Sequence, residues 1–179
     1  MAALVRPLVI FVLILLSGYI VLLFVQRELR DVFWDELIVV LFACGKTVFG
    51  MFEMFRRIAR TSDHDLDQQH LFAMISLYAL LFVASFALDN LALLEVDPTA
   101  LSGVGLAGSL WHRAVDMVYY SMSTFTTAGF GDILPVSTSA RVLAMGELML
   151  AFFLTVLVIA NFSSLREHFR KRNAGKAVD

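Results

Sequence analysis

The chain has 179 residues, of which 59% are hydrophobic and 17% are charged, and its mean hydropathy is +0.79. A soluble globular domain of this size is rarely so apolar, so the composition excludes that class and indicates an integral membrane protein. The formal net charge of -2 says little about partners, and we expect no nucleic acid among them; the single cysteine, Cys44, cannot form an intrachain disulfide.

Two apolar stretches near the start of the chain are long enough to cross a bilayer, which takes about 20 residues. Residues 8–25 contain no charge, whereas residues 37–55 contain Lys46 and Glu53. Lys46 can pair with Glu53 two turns further on, extend toward the membrane surface, or contact a lipid phosphate. Neither stretch repeats a basic residue at every third position, which disfavours a voltage sensor. We therefore predict that residues 1–60 form two transmembrane helices of unknown role.

A second pair of apolar stretches follows a predicted cytoplasmic linker at residues 61–70. The outer stretch covers residues 71–94, and the inner stretch covers residues 142–165. Between them lie a loop with one proline and three glycines, 97–108, and a segment predicted to be a short helix, 111–125. The sequence therefore predicts an all-α membrane protein with four transmembrane helices.

The segment after the short helix is the most informative part of the chain. It consists of Thr126-Thr127-Ala128-Gly129-Phe130-Gly131-Asp132. A ring of oxygens must replace the water of a potassium ion, and backbone carbonyls can form such a ring. Glycine permits the backbone conformations that aim successive carbonyls at one axis. The segment resembles the potassium-channel filter signature, usually written TVGYG, and residues 71–165 are similar to the pore domain of tetrameric prokaryotic potassium channels.

This resemblance implies a re-entrant pore helix and a filter loop between an outer and an inner helix. The ion-binding residues that it implies are Thr127, Ala128, Gly129, Phe130 and Gly131. Potassium ions would be held at the first four of these. Ala128 replaces the usual valine, and Phe130 replaces the usual tyrosine, whose hydroxyl bonds to the pore helix in that family. We expect the carbonyl chemistry to persist, but in a filter that is less rigidly braced and prone to inactivation.

The resemblance also implies residues that support the filter from behind: Thr126, Asp132, Tyr119, Ser123 and Glu147. In the family, the aspartate directly after the filter bonds to the pore helix, and its matched partners here are Tyr119 and Ser123. Asp132 could instead be a solvated carboxylate at the outer mouth. Some relatives carry glutamate at the position of Ser123, and its absence would loosen this link. Glu147 is costly to bury as an ion, so it either faces the pore helix or lies near the outer membrane surface.

The last span offers candidates for the pore lining. Phe152, Thr155 and Ile159 lie at i, i+3 and i+7 and therefore share one face of the inner helix. By their distance from the filter they resemble cavity-lining positions, although the same spacing also fits residues that face lipid or pack against other helices. Ile159, Phe162 and Ser163 are the candidates for an inner constriction.

A short basic tail, residues 166–179, follows the inner helix and is predicted to be cytoplasmic. Basic residues concentrate after the second and fourth spans, which is typical of cytoplasmic segments: Arg56, Arg57, Arg60, Arg166, Arg170, Lys171, Arg172 and Lys176. We therefore expect both termini in the cytoplasm and a multi-pass location in the cell membrane, with a bacterial inner membrane suggested by the small size. The tail could bind anionic lipid headgroups, and His168 within it could sense protons.

One chain carries one filter segment, so a closed pore requires four chains, and we expect a homotetramer. The predicted function is passive, potassium-selective transport by a protein that is not an enzyme, with no cofactor besides the potassium ions in the filter. Two alternatives stay open. Ala128 and Phe130 allow a weakly selective monovalent cation channel, and residues 1–60 allow a non-conducting accessory subunit that docks through them.

Overall fold

The computed structural model describes residues 18, 20, 32–61, 68–105 and 108–175, with side chains over 33–56, 73–105 and 108–159. The helices in this part of the chain are α1 (Val32–Thr61), α2 (Gln68–Val96), α3 (Leu110–Phe125) and α4 (Thr138–Gly175). Two short strands, β1 (Leu101–Ser102) and β2 (Leu134–Pro135), flank α3. Apart from this strand pair, the described fold is all-α, as the sequence predicts.

Three of the described helices are long and apolar enough to cross a membrane: Phe33–Arg56 in α1, Ala73–Val96 in α2 and Thr138–Ile159 in α4. The prediction of an all-α membrane protein is thereby confirmed, and the chain is a multi-pass one. The predicted span at residues 8–25 lies outside the described residues, apart from helical backbone at Gly18 and Ile20.

Helix α1 contacts the rest of the chain along one stripe. Val39, Ala43, Gly50 and Met54 recur at helical spacing, and all four are buried. A Cβ placed on Gly50 would lie 2.9 Å from a ring carbon of Phe82 on α2. The two helices therefore approach closely at this position, which leaves little room for a side chain.

Two buried clusters lie along the bundle. The first joins Leu93 of α2, Met117 of α3 and Leu143 of α4, each at most 2% exposed. The second joins Phe82 of α2 to Leu150 of α4, and from α3 its last residue, Phe125, packs against it. The buried residues of α3 thus lie against the end of α2 and the start of α4.

The loops on both sides of α3 are fastened to each other. Strands β1 and β2 pair antiparallel, with Leu101 opposite Pro135 and Ser102 opposite Leu134. The backbone N–H of Val136 also donates to the carbonyl of Ala100 over 2.8 Å. The segment that follows the filter candidate is therefore tied to the loop that precedes α3.

Lys46 pairs across to α2 rather than along its own helix. Its Nζ lies 2.5 Å from Oδ1 of Asp89, and the two side chains are 7% and 4% exposed. The hypothesis that Lys46 pairs with Glu53 or reaches the membrane surface was therefore wrong. The reason is that Lys46 lies on the buried stripe of α1, where a carboxylate on the facing helix is nearer than one two turns away.

The helices extend beyond the predicted spans. Helix α2 begins at Gln68, within the predicted linker of residues 61–70, and α4 continues to Gly175, within the predicted tail of residues 166–179. The inner span and much of the basic segment therefore form one continuous helix.

Candidate functional site

The site is built around the C-terminal end of α3. This helix buries Met117, Tyr120, Ser121 and Ser123 against the bundle. It ends at Phe125, where both the backbone N–H and the hydroxyl of Thr126 donate to the carbonyl of Met122, over 3.0 and 2.7 Å. Thr126 therefore closes the last turn of the helix and starts the candidate filter, residues 126–132 (the filter segment).

The backbone φ angle alternates in sign along the filter segment. Thr127, Gly129 and Gly131 have positive φ values of 57°, 53° and 78°, whereas Ala128 and Phe130 between them do not. Thr127 is the one residue other than glycine in this left-handed region within the described part of the chain. Such a conformation is costly for a β-branched residue and persists only where surrounding contacts hold it. The alternation rotates successive peptide planes, so consecutive carbonyls can share one side of the loop.

The contacts that hold this backbone come from α3. The N–H groups of Ala128 and Gly129 both donate to the carbonyl of Ser123, over 2.9 and 3.1 Å, and that of Thr127 donates to Thr124 over 2.9 Å. The amide side of the loop is thus fastened to the end of the helix.

The carbonyl side of the loop is left open. Within the described chain, no hydrogen-bond donor reaches the carbonyl oxygens of residues 127–131. Residues 126–132 are all exposed. Backbone carbonyls without partners are tolerated at membrane depth only where they line a water- or ion-filled pathway or are covered by protein.

Tyr119 connects α3 to the far end of the loop. Its hydroxyl donates to Oδ2 of Asp132 over 2.7 Å, and its ring stacks on Phe130 with centroids 5.9 Å apart and an interplanar angle of 7°. The other oxygen of Asp132 accepts the N–H of Ile133 over 3.1 Å. One tyrosine thus braces both the aspartate and the aromatic ring of the filter segment, where the expected hydroxyl of residue 130 is missing.

This geometry affects the titration of both groups. The hydrogen bond from Tyr119 holds the pKa of Asp132 below its ordinary value. The same bond, with the hydroxyl as donor, raises the pKa of Tyr119. Asp132 is therefore an anion at the exposed end of the loop over a wider pH range than an ordinary aspartate.

The other supporting candidates lie in different places. Ser123 is buried, and its hydroxyl donates to the carbonyl of Tyr120 over 2.9 Å, so its contact with the filter runs through its backbone carbonyl rather than its side chain. Glu147 is 0% exposed, and neither of its carboxyl oxygens has a hydrogen-bond partner within the described chain. Glu147 is therefore enclosed by the bundle, near Ser121 of α3 and Asp89 of α2.

The pore-lining candidates share an open face of α4. Phe152 and Ile159 are 64% and 62% exposed, and Thr155 between them is also exposed while its hydroxyl donates to the carbonyl of Ala151 over 2.9 Å. The side chains of Phe162 and Ser163, named for the inner constriction, lie outside the described residues.

Sequence reasoning missed two features of the site. Gly103 has a φ of 86°, and a Cβ there would collide with the carbonyl oxygen of Asp132, so the loop after α2 packs directly on the end of the filter segment. Asn90 and Ser121, both 0% exposed, face each other between α2 and α3. Polar residues within an apolar span are the signal that could have identified Asn90.

Comparison with known proteins follows the same part of the chain. A family model described as ion channel matches residues 79–167. Potassium channel AKT1 of Arabidopsis thaliana is 36% identical over 67 residues, which cover 37% of this chain and 8% of that protein. Potassium channel protein kcv of Paramecium bursaria Chlorella virus 1 is 36% identical over 42 residues, which cover 24% of this chain and 45% of that protein. The chain thus spans less than half the length of either relative.

The matched segment includes most of α2, all of α3, the loop of residues 126–132 and most of α4. These are the elements that position the carbonyl-bearing loop and its supports. Through residues 79–167, the chain belongs to the ion channel family.

Proposed function

We propose that this protein is a potassium-selective channel in which four copies surround one pore and residues 126–132 of each copy form the filter. The observation that carries the proposal is the loop itself, with its alternating φ values, its amides held by α3 and its open carbonyls. The names of the two relatives, both potassium channels, support the choice of ion.

The carbonyls explain why passive transport is the best hypothesis. Potassium sheds its water only where oxygens replace it, and rings of backbone carbonyls do so in potassium channels. Thr127, Ala128, Gly129 and Phe130 would each contribute one such oxygen per copy. The C-terminal end of α3 adds to this, because a helix carries a partial negative charge at that end. Its last turn leads directly into the loop.

The tetramer is supported by an apolar face that one chain leaves uncovered. Trp111, Val115, Val118 and Met122 follow helical spacing along α3, and they are 74%, 49%, 43% and 47% exposed. A short helix beside a polar loop cannot face lipid without exposing that loop as well. We therefore place a neighbouring copy against this face, which also closes the ring of carbonyls.

One experiment distinguishes the proposed function from two others, a weakly selective cation channel and a non-conducting accessory subunit. The purified protein is placed in liposomes, and potassium and sodium fluxes are measured with and without barium. Potassium flux that barium blocks, with little sodium flux, is the expected result. Equal fluxes would indicate a weakly selective cation channel. Silence from a protein that still forms tetramers would favour the non-conducting accessory subunit.

A further inference from the structure

A line of buried polar side chains runs from the peripheral helix α1 to the filter segment. On the structure described above, we infer that Lys46 of α1 is a positioning residue for the filter, acting through Asp89, Asn90 and Ser121. This inference rests on the proposed function, since it names a residue that maintains the conducting conformation of the same loop.

The first link is the ion pair between α1 and α2. Lys46 Nζ lies 2.5 Å from Oδ1 of Asp89 and also donates to the carbonyl of Ser85 over 3.2 Å. Both side chains lie inside segments long enough to cross the membrane. A buried ion pair is no better for stability than apolar residues of similar size, and removing one partner is strongly destabilising. Its presence between two spans therefore calls for a role other than stability.

The second link is the change of direction at Asn90. Consecutive residues on an α-helix point about 100° apart. Asp89 faces α1, and Asn90 faces α3, where its Nδ2 lies 3.4 Å from the hydroxyl of Ser121. Asn90 and Ser121 are both 0% exposed. A rotation or shift of α2 that Lys46 opposes would therefore move the partner of Ser121.

The third link connects Ser121 to the filter. Two residues further along α3, the carbonyl of Ser123 accepts the N–H groups of Ala128 and Gly129. These bonds hold the loop in the conformation that includes the left-handed φ of Gly129. The position of the last turn of α3 therefore determines where the filter carbonyls lie.

Together with Glu147 of α4, these side chains form a buried cluster that leaves four oxygens unpaired in the described part of the chain. Oδ2 of Asp89, Oδ1 of Asn90 and both carboxyl oxygens of Glu147 have no hydrogen-bond partner there. Lys46 pairs with this cluster through Asp89. A partly satisfied polar network is sensitive to the loss of any one member, so neutralising Lys46 should alter the packing of α2 and α4 on α3.

The test uses the full chain in liposomes and compares wild type with three changes to the pair. Lys46→Arg keeps the cation, Lys46→Met removes it, and Lys46→Met with Asp89→Asn removes both charges. Gly45→Ala is the matched control on α1, because a Cβ there meets no atom within 4 Å. Assembly is measured by size-exclusion chromatography, and the filter is measured by the potassium-to-sodium permeability ratio and the rate of inactivation.

We expect Lys46→Arg and Gly45→Ala to match the wild type. Lys46→Met should lose assembly, or lower the permeability ratio by about tenfold, a typical coupling between distant sites. The double variant should assemble, because no uncompensated charge stays buried, and still show the lowered ratio and faster inactivation. A double variant with wild-type ratio and kinetics would reduce the pair to a packing feature and overturn the inference.

Ser121→Ala provides a second test if neither Lys46→Met nor the double variant assembles. It removes the last link and leaves the ion pair intact, so it should also lower the permeability ratio. Where the double variant assembles, combining it with Ser121→Ala should change the ratio by less than the product of the two separate effects. If the combined change in the permeability ratio equals the product of the two separate changes to within about twofold, the two sites act independently. That result would contradict the inferred connection between Lys46 and Ser121.

Failure of the inference differs from failure of the proposed function. Wild-type protein that assembles but passes no potassium would refute the proposed function. Wild-type protein that conducts selectively, together with Lys46→Met and Ser121→Ala variants that behave in the same way, would refute the inference alone.

Discussion

Asp132 ends the filter segment as an exposed carboxylate with two hydrogen-bond donors, the hydroxyl of Tyr119 and the N–H of Ile133. The tyrosine bond joins α3 to the loop across its open end. It also places the Tyr119 ring flat against Phe130. The brace that the sequence lacks at residue 130 is therefore supplied from α3, which favours a filter that conducts despite the phenylalanine.

Removing that brace should change the response to acid. The hydrogen bond from Tyr119 lowers the pKa of Asp132. The stability that this bond gives the loop is therefore fully present above the ordinary pKa of aspartate and is lost as the pH falls through the lowered pKa. In Tyr119→Phe this pKa should return toward its ordinary value. We expect faster inactivation at neutral pH, and an acid transition in potassium flux at higher external pH than in wild type.

The control for this prediction is Tyr120→Phe, which removes a hydroxyl from the neighbouring, buried position of α3. It should leave the acid transition unchanged. A transition in Tyr119→Phe at the wild-type pH would show that the bond between Tyr119 and Asp132 does not set the titration of the filter mouth.

Gly103 packs against the backbone of the same residue, Asp132. Its φ of 86° costs a residue with a side chain about 1–2 kcal/mol, and its added Cβ would collide with the backbone of Asp132. Gly103→Ala should therefore lower the thermal stability of the assembled protein and the potassium permeability together. Gly105→Ala, where a Cβ meets nothing within 4 Å, is the control. Equal melting temperatures for the two variants would contradict this account of the loop.

At the scale of whole elements, α4 presents two different faces. Leu150, Ala151 and Leu154 are buried against the bundle, whereas Phe152 and Ile159 are among its most exposed side chains. We propose that the exposed face with Phe152, Thr155 and Ile159 lines the pore below the filter. The alternatives are that this face meets lipid or a neighbouring copy.

Cysteine accessibility distinguishes these surroundings. In a Cys44→Ala background, a thiol placed by Thr155→Cys should react with a membrane-impermeant reagent added from the cytoplasmic side, and the current should fall. Leu154→Cys is the matched control, because Leu154 is 4% exposed. A thiol at residue 155 that reacts as slowly as one at residue 154 would remove Thr155 from the pore lining.

The elements differ in how far the sequence alone predicts them. The long apolar runs of α1, α2 and α4 and the short helix α3 follow from length and hydropathy. The positive φ values of Gly129 and Gly131 follow from the conformational freedom of glycine, whereas that of Thr127 does not. The partner of Lys46 does not follow from the sequence either, because the register between two helices depends on packing that no local pattern records. Likewise, the contact of Gly103 with Asp132 joins loops that are far apart in sequence, and only the folded chain brings them together.

The strand pair β1 and β2 illustrates the same limit at smaller size. Two residues per strand are too few to produce an alternating pattern, so the pair cannot be predicted from periodicity. It forms because the loop before α3 and the segment after residue 132 lie side by side in the folded chain. The sequence indicated a filter segment, but it did not indicate how firmly the surrounding loops hold it.

For the molecule as a whole, the proposed channel cannot be formed by a single chain. The carbonyl face of residues 126–132 and the apolar face of α3 are both open in one copy, and both would be closed by the same neighbours. Assembly and ion binding are therefore expected to depend on each other, with potassium stabilising the tetramer by mass action. In the proposed assembly the filter is a property of four chains, each of which contributes one loop.

The reversal potential of single channels under potassium on one side and sodium on the other tests this account most directly. For the wild type, we predict a reversal potential displaced strongly toward the potassium equilibrium. Gly129→Ala, which places a side chain at a left-handed φ of 53°, should assemble and either stop conducting or reverse near zero. A wild-type reversal near zero, or a Gly129→Ala channel as selective as the wild type, would contradict the assignment of residues 126–132 as a potassium filter.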